Sequence, residues 1–253
     1  MNNLIVGRKP VLEALKAGTL IERIVLLQGV RGSIIEEITA AADRQKIAVN
    51  EASRQEFREL ASDVTTQGIV AVVARRQAAT VEEILARASS DSRPGFLLVL
   101  DEIEDPHNLG ALIRTAECAG AHGVILPKHH SAPVNAATIK ASAGATEHLP
   151  VAEVTNLSTM LDDLKEAHYW VVGLDMEGEK EFTQVDYTTP IALVVGNEGK
   201  GIRRLVREHC DFIARIPLFG KVQSLNASVA GALVMFEVVR QRRAADSPKP
   251  AGA

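Results

Sequence analysis

The chain has 253 residues, 46% of them hydrophobic and 24% charged, which suits a globular protein of two domains. A formal net charge of −4 excludes nucleic-acid binding driven by bulk charge, so any polyanion must be held by local patches. Aromatic residues at 4% exclude an extended base-stacking platform, and no run approaches the roughly 18 apolar residues of a membrane span.

The N-terminal segment MNNLIVGRKPVLEAL lacks an apolar core long enough for a signal peptide, so a cytoplasmic protein is expected. Apolar spacing then predicts a helix over Arg8–Lys16, stopped by Gly18, and a buried strand over Arg23–Gln28. Ser33–Gln45 has helical spacing, with Ser33 as N-cap and Glu36 completing a capping box. Phe57 and Leu60 suggest a short helix, and Gly68–Ala74 reads as a strand. Residues 1–76 thus form a small α/β domain, with 11 Lys+Arg against 9 Asp+Glu, whereas residues 77–253 carry 17 against 23.

The stretch Gln77–Pro94 reads as a linker with room for a short helix. Beyond it, strand signals recur at Phe96–Leu100, Gly123–Leu126, Tyr169–Leu174, Ile191–Gly196 and Phe212–Ile216, with helical patterns between most of them. Near-continuous apolar strands alternating with helices predict a parallel sheet covered on both faces, and hence an α/β fold over residues 95–243. The last stretch, Ala227–Arg243, is apolar almost all round through Val229, Leu233, Met235, Phe236 and Val239 and is expected to be largely buried. Residues 244–253 read as a disordered tail. Cys118 and Cys210 lack metal-ligand spacing and are expected to be buried free thiols.

Three polar clusters each follow a strand. In DPHNLGALIRTAE, Asn108 stands at an apparent helix N-cap and Arg114 on the helix beyond; capping and a solvated charge explain them locally. In ALVVGNEGKGI, a buried strand enters a glycine-rich turn whose G-x-x-G-x-G spacing is neither a dinucleotide fingerprint nor a P-loop. In IPLFGKVQSLNASVA, Ser224, Asn226 and Ser228 supply hydroxyls and an amide near a helix start. Carboxyl ends of strands in open α/β sheets are where ligands bind, which gives these caps a second possible use. His107, His129 and His130 lack cysteine or carboxylate partners at metal spacing, so no metal is expected.

In order, the three clusters resemble the signature motifs of the SpoU/TrmH branch of the SPOUT RNA methyltransferases, over residues 96–243. GRKPVLEAL and QGIVAVV resemble that branch's N-terminal substrate-binding domain, although Thr65-Thr66 stand where family members often carry a histidine. The resemblance implies a trefoil-knotted catalytic domain, a homodimer with the active site near the subunit interface, and S-adenosyl-L-methionine bound against the knot loops. It implies Arg114, Asn108, Glu198, Ser224 and Asn226 as catalytic residues, with Arg114 acting as base or as charged stabiliser. Gly196, Ile216 and Leu225, with Asn197, Pro217, Ser142 and Gly144 nearby, are implied for the cofactor. Within the branch the two-domain layout is most similar to bacterial enzymes methylating a guanosine 2′-hydroxyl in 23S ribosomal RNA. The same chemistry on transfer RNA or another ribosomal site, and a non-catalytic RNA-binding or assembly factor, are the alternatives. Basic residues expected to meet RNA are Arg8, Lys9, Arg75 and Arg76 in the small domain and Arg203, Arg204 and Arg207 in the large one.

Overall fold

The computed structural model describes residues 4–16, 18–19, 21–61, 66–73 and 78–246. The chain divides into two compact units at Gln77/Ala78.

The first unit contains β1 (Leu4–Val6), α1 (Arg8–Lys16), β2 (Ile21–Leu27), α2 (Ser33–Arg44), β3 (Ala48–Ala52), α3 (Arg54–Leu60) and β4 (Ile69–Val73). Its four-stranded sheet has the order β1-β4-β2-β3, mixed in direction, with only the β2–β3 pair parallel. One face packs on Val11, Leu15, Ile35 and Ile38 of α1 and α2; Phe57 of α3 covers the other. The capping box expected at Ser33 does not form. The N-cap is Gly32 in the left-handed region (φ 135°), and Ser33 is the first helical residue. A capping box forms instead at Ser53–Glu56, where Ser53 Oγ accepts from the Glu56 N–H at 3.3 Å and Glu56 Oε2 accepts from the Ser53 N–H at 2.8 Å. Strand β3 escapes sequence patterning because it lies on the sheet edge with three of its five residues exposed.

The second unit opens with α4 (Val81–Ser90), capped by a Thr80–Glu83 box. Most of the stretch read as a linker is therefore a helix of this unit, with Val81, Ile84 and Ala88 buried. There follow β5 (Phe96–Leu100), α5 (Pro106–Cys118), β6 (Gly123–Pro127), α6 (Ala136–Ala141), β7 (Val151–Val154), α7 (Leu157–Glu166), β8 (Trp170–Leu174), β9 (Lys180–Glu181), β10 (Ile191–Val195), α8 (Arg204–Glu208), β11 (Phe212–Arg215) and α9 (Ala227–Asp246). All strand pairs of the seven-stranded sheet are parallel, in the order β7-β6-β5-β10-β8-β11-β9. Strands β5 to β7 step outward in one direction; the chain then crosses back, and β10 enters between β5 and β8. That reversal puts a switch point between β5 and β10, the place where open α/β sheets leave a crevice for ligands.

Alternation sorts the side chains of each strand to two apolar layers. Phe96, Leu98, Leu100, Leu193 and Val195 meet Leu109, Leu112 and Ile113 of α5 and Val234, Met235 and Val238 of α9. Leu97, Val99, Ala192 and Val194 meet Ile84, Leu157, Leu161, Leu164 and Val206 from α4, α7 and α8. The central strands are buried on both sides, as their unbroken apolar runs require.

Helix α9 departs from expectation. Gly231, Val234, Met235 and Val238 face the core, but Val229 (48%), Leu233 (44%) and Phe236 (51%) are half exposed. At 3.6 residues per turn an all-apolar helix against one sheet must leave one stripe uncovered. The helix also runs on to Asp246, past the expected tail start at Ala244; residues 247–253 lie outside the described residues. Near its end, Arg242 donates to the carbonyls of Pro94, Gly95, Tyr187 and Thr189 at 2.7–3.0 Å, fastening α9 to the chain entering β5 and β10. Burial pushes its pKa down to about 10, so it remains a cation at neutral pH. Among the described residues, no helix is long and apolar enough to cross a membrane.

The cysteines differ where burial of both was expected. Cys118 is exposed at the end of α5, whereas Cys210 is partly buried, its thiol donating to the Val206 carbonyl at 3.4 Å. Burial pushes the Cys210 thiol up to about 12. Alkylation needs the thiolate. Brief iodoacetamide treatment of the native protein at about pH 8 is expected to modify Cys118 at least about ten-fold faster than Cys210, read by peptide mass spectrometry.

Candidate active site

Strands β5, β8, β10 and β11 end on one edge of the sheet, and each passes into a loop. The β10–α8 loop closes on itself. The Asn197 N–H donates to the Gly201 carbonyl at 3.0 Å, and the Gly201 N–H returns a bond to the Asn197 carbonyl at 2.9 Å. A Cβ at Gly196 would lie 2.3 Å from the Gly201 carbonyl carbon and oxygen, so only glycine permits this approach. Asn197 Oδ1 accepts from the Gly199 and Lys200 N–H groups, and its Nδ2 donates to the Glu102 carbonyl at 3.1 Å.

Beneath this loop lies an ion pair. Asp101, fully buried at the end of β5, accepts from the Arg203 backbone N–H (2.8 Å), Nε (2.7 Å) and Nη2 (2.6 Å). The carboxylate raises the guanidinium pKa above its ordinary value. The turn after β5 and the turn after β10 are thereby locked together.

Above them the third cluster closes the arrangement. Asn226 is the residue before α9, and its Oδ1 accepts from the Ser228 N–H (3.0 Å), Val229 N–H (3.3 Å) and Ser228 Oγ (2.6 Å). That capping role turns Nδ2 outward, where it donates to Asn108 Oδ1 at 2.9 Å and to Glu198 Oε2 at 3.0 Å. One amide joins all three sequence clusters.

Asn108 is free for this contact because it is not the cap of α5. Asp105 is, its Oδ1 accepting from the His107 N–H at 3.0 Å, with Pro106 in the first turn. This corrects the sequence expectation; proline's fixed φ suits the first helical position, which moves the cap one residue upstream of it. Arg114 stands apart. It is exposed on α5, about 120° round the helix from Asn108, and has no hydrogen-bond or ion-pair partner among the described residues.

Beside the Asn226 junction a cleft of about 750 Å³ opens along the carboxyl ends of β8, β10 and β11. Its walls include Leu174–Glu177, Val195–Ile202, Ile216, Leu218 and Gln223–Leu225. The volume falls in the range of small-molecule sites, and the wall mixes apolar side chains with loop backbone and Glu198. Gly196, Asn197, Ile216, Leu225, Ser224 and Glu198 are brought together here; Pro217 lies between two lining residues. The contribution of Asp175 and Met176 after β8 had no motif to announce it. Ser142 and Gly144 are elsewhere, outside the cleft wall. Ser142 is fully buried at the end of α6 with its hydroxyl on the Ile139 carbonyl, where α5 approaches so closely that a Cβ on Gly110 would lie 2.4 Å from Ala141 Cβ.

The basic residues also sort differently from expectation. Arg203 is committed to Asp101, Arg204 to Glu208, and Arg207 to Asp175 and Glu177 at 3.2 Å. Arg203 and Arg207 brace loops, and Arg204 and Arg207 line the cleft, instead of forming a free basic patch. In the first unit Arg8 donates through its backbone N–H to Gln67 Oε1 and through Nε to the Gln67 carbonyl, beside exposed Lys9. Arg75 and Arg76 lie outside the described residues.

Residues 95–236 match the SpoU rRNA Methylase family, and residues 4–79 match the RNA 2'-O ribose methyltransferase substrate binding family. The chain belongs to the SpoU methylase family. Membership makes it an S-adenosylmethionine-dependent RNA methyltransferase, the class that the three motifs resembled. It is 39% identical to the Putative TrmH family tRNA/rRNA methyltransferase YacO of Bacillus subtilis, over 95% of this chain and 96% of that one. Among solved structures it is similar to the SpoU methyltransferase AviRb from Streptomyces viridochromogenes in complex with AdoMet (TM-score 0.64, 25% identity, 95% and 90% of the two chains). It is also similar to the AdoMet bound rRNA methyltransferase from Sinorhizobium meliloti (TM-score 0.61, 26% identity, 94% and 86%).

Gly196→Ala is expected to force the 196–201 turn open and to weaken S-adenosylmethionine binding at least about ten-fold by calorimetry. Gly220→Ala, where a Cβ meets nothing within 4 Å, is the control and should leave it unchanged.

Proposed function

We propose that this enzyme methylates the ribose 2′-hydroxyl of a guanosine in 23S ribosomal RNA, and that it works as a homodimer in the cytoplasm. The observation that carries the reading is the Asn108–Asn226–Glu198 junction beside the cleft, which unites the three clusters at one point. A ribosomal substrate is supported by the family match and by the rRNA methyltransferase of S. meliloti, which is similar over both units. A strand inserted between two earlier ones is what a trefoil knot calls for, and we assign one here.

The cofactor fits the cleft through Gly196, Ile216, Leu218 and Leu225, whose backbone and apolar surface suit an adenosine and its thioether chain. When bound, S-adenosylmethionine supplies an activated methyl group on a sulfonium. What is left for the protein is to align the hydroxyl and to favour loss of its proton. Asn226, held by its own cap, fixes Glu198 and Asn108 at the mouth; Ser224 stands on the same loop. A guanidinium is a poor base, so Arg114 is assigned the stabilisation of the developing alkoxide as a fixed cation. Exposed, and unpaired among the described residues, it is available to the RNA and to the second subunit. In the first unit, Arg8 and Lys9 are assigned to gripping RNA.

Arg114→Ala is expected to lower methyl transfer at least about a hundred-fold with cofactor affinity changed no more than a few-fold. The assay is tritiated methyl transfer to unmethylated 23S ribosomal RNA followed by mapping of the modified nucleotide. Wild-type turnover in that variant would sink the assignment, and no transfer to 23S ribosomal RNA, or a methyl mapped to a base, would overturn the proposed substrate.

The second copy is assigned to the Val229, Leu233 and Phe236 stripe, three half-exposed apolar side chains at helical spacing along α9. Phe236→Glu should shift the protein from dimer to monomer by light scattering and reduce turnover in parallel. A dimer of unchanged affinity would move the interface elsewhere.

A further inference from the structure

The loop between β11 and α9 carries a feature that neither the cofactor cleft nor the junction uses. Phe219 is 96% exposed, and Val222 beside it is 75% exposed. Phe219 is not in the cleft wall, although Leu218 on one side and Gln223 to Leu225 on the other are. A Cβ on the next residue, Gly220, would meet nothing within 4 Å among the described residues. Lys221 is the one charged residue between Ile216 and Asn226, and no carboxylate pairs with it among the described residues.

We propose that Phe219 is a base-stacking residue that holds the nucleotide to be methylated, or its immediate neighbour; this rests on the ribose-methylation reading above. In a stacked strand the ribose is shielded by neighbouring nucleotides, and an enzyme acting inside a cleft must splay the nucleotide out. The splayed base loses its stacking partners and needs a flat apolar surface in their place. Phe219 offers that surface seven residues before Asn226, on the same loop as Ser224, and Lys221 offers a cation for the adjoining phosphate. An unpaired lysine flanked by an exposed ring suits a nucleotide better than a second apolar protein surface. The chain is poor in aromatic residues, so one exposed ring next in sequence to the cleft wall serves a single base and not a long strand.

Two measurements on the full-length enzyme decide this. Phe219→Ala should lower kcat/KM for unmethylated 23S ribosomal RNA by about ten-fold or more while leaving S-adenosylmethionine affinity unchanged, and Phe219→Tyr should restore most of it. Equal kcat/KM for wild type and Phe219→Ala overturns the proposal. Separately, with Trp170→Phe removing the native indole, the F219W fluorescence should be quenched by a single-stranded guanosine-containing oligoribonucleotide. This readout needs no turnover, so it tests stacking even if the methylated position proves not to be a ribose. No quenching overturns the proposal, and a fluorescence change that follows protein concentration without RNA assigns the ring to a second copy and also overturns it.

Discussion

Everything at this site hangs on the buried carboxylate of Asp101. Two adjacent parallel strands, β5 and β10, release their chains at the same edge, and nothing in the sheet itself dictates where those loops go. Asp101 takes the Arg203 guanidinium and backbone N–H together, so the far end of the β10–α8 loop is pinned to the first residue after β5. A carboxylate with no solvent contact is tolerable only when so fully bonded; removing the partner of such a pair typically costs about 3–5 kcal/mol. With both ends of the loop fixed, Gly196 and Gly201 can meet at backbone contact, and Glu198 is held over the cleft without ordering by substrate. Preorganisation of this kind is what lets a site stabilise charge at the moment of reaction without rearranging.

Asn226 shows why local and functional accounts of a residue need not compete. Its carbonyl oxygen caps α9, and the cap determines where the amide nitrogen points. Replacing it with serine or aspartate could preserve the helix start but would lose the two outward bonds to Asn108 and Glu198. The residue type is fixed by needing an acceptor on one side and a two-proton donor on the other.

Much of the fold was legible in the sequence because buried parallel strands announce themselves as apolar runs, as Phe96–Leu100 and Ile191–Val195 do. Strands β1, β3, β7 and β9 were missed, being edge elements that are short or partly solvated. The burial of Val229, Leu233 and Phe236 was misjudged because composition does not say how many sides of a helix are covered. Glu198, Asn108 and Asn226 could be named only by resemblance; spacing alone left them as caps and a charge. The role of Arg203 was hidden for another reason. Its partner lies 102 positions away, and no local pattern records a contact of that range.

Helix α9 carries Asn226 just before its first turn and Arg242 near its end, so one element reaches from the reactive edge of the sheet to the opposite edge, where the strands begin. Every residue of the cleft wall lies after position 173, and the junction needs position 226. A nascent chain therefore carries Asn108 and Arg114 early but has neither cleft nor junction until almost all of it has left the ribosome. A break in the chain before position 226 would therefore remove the residue that joins the three clusters and leave a fragment without a junction.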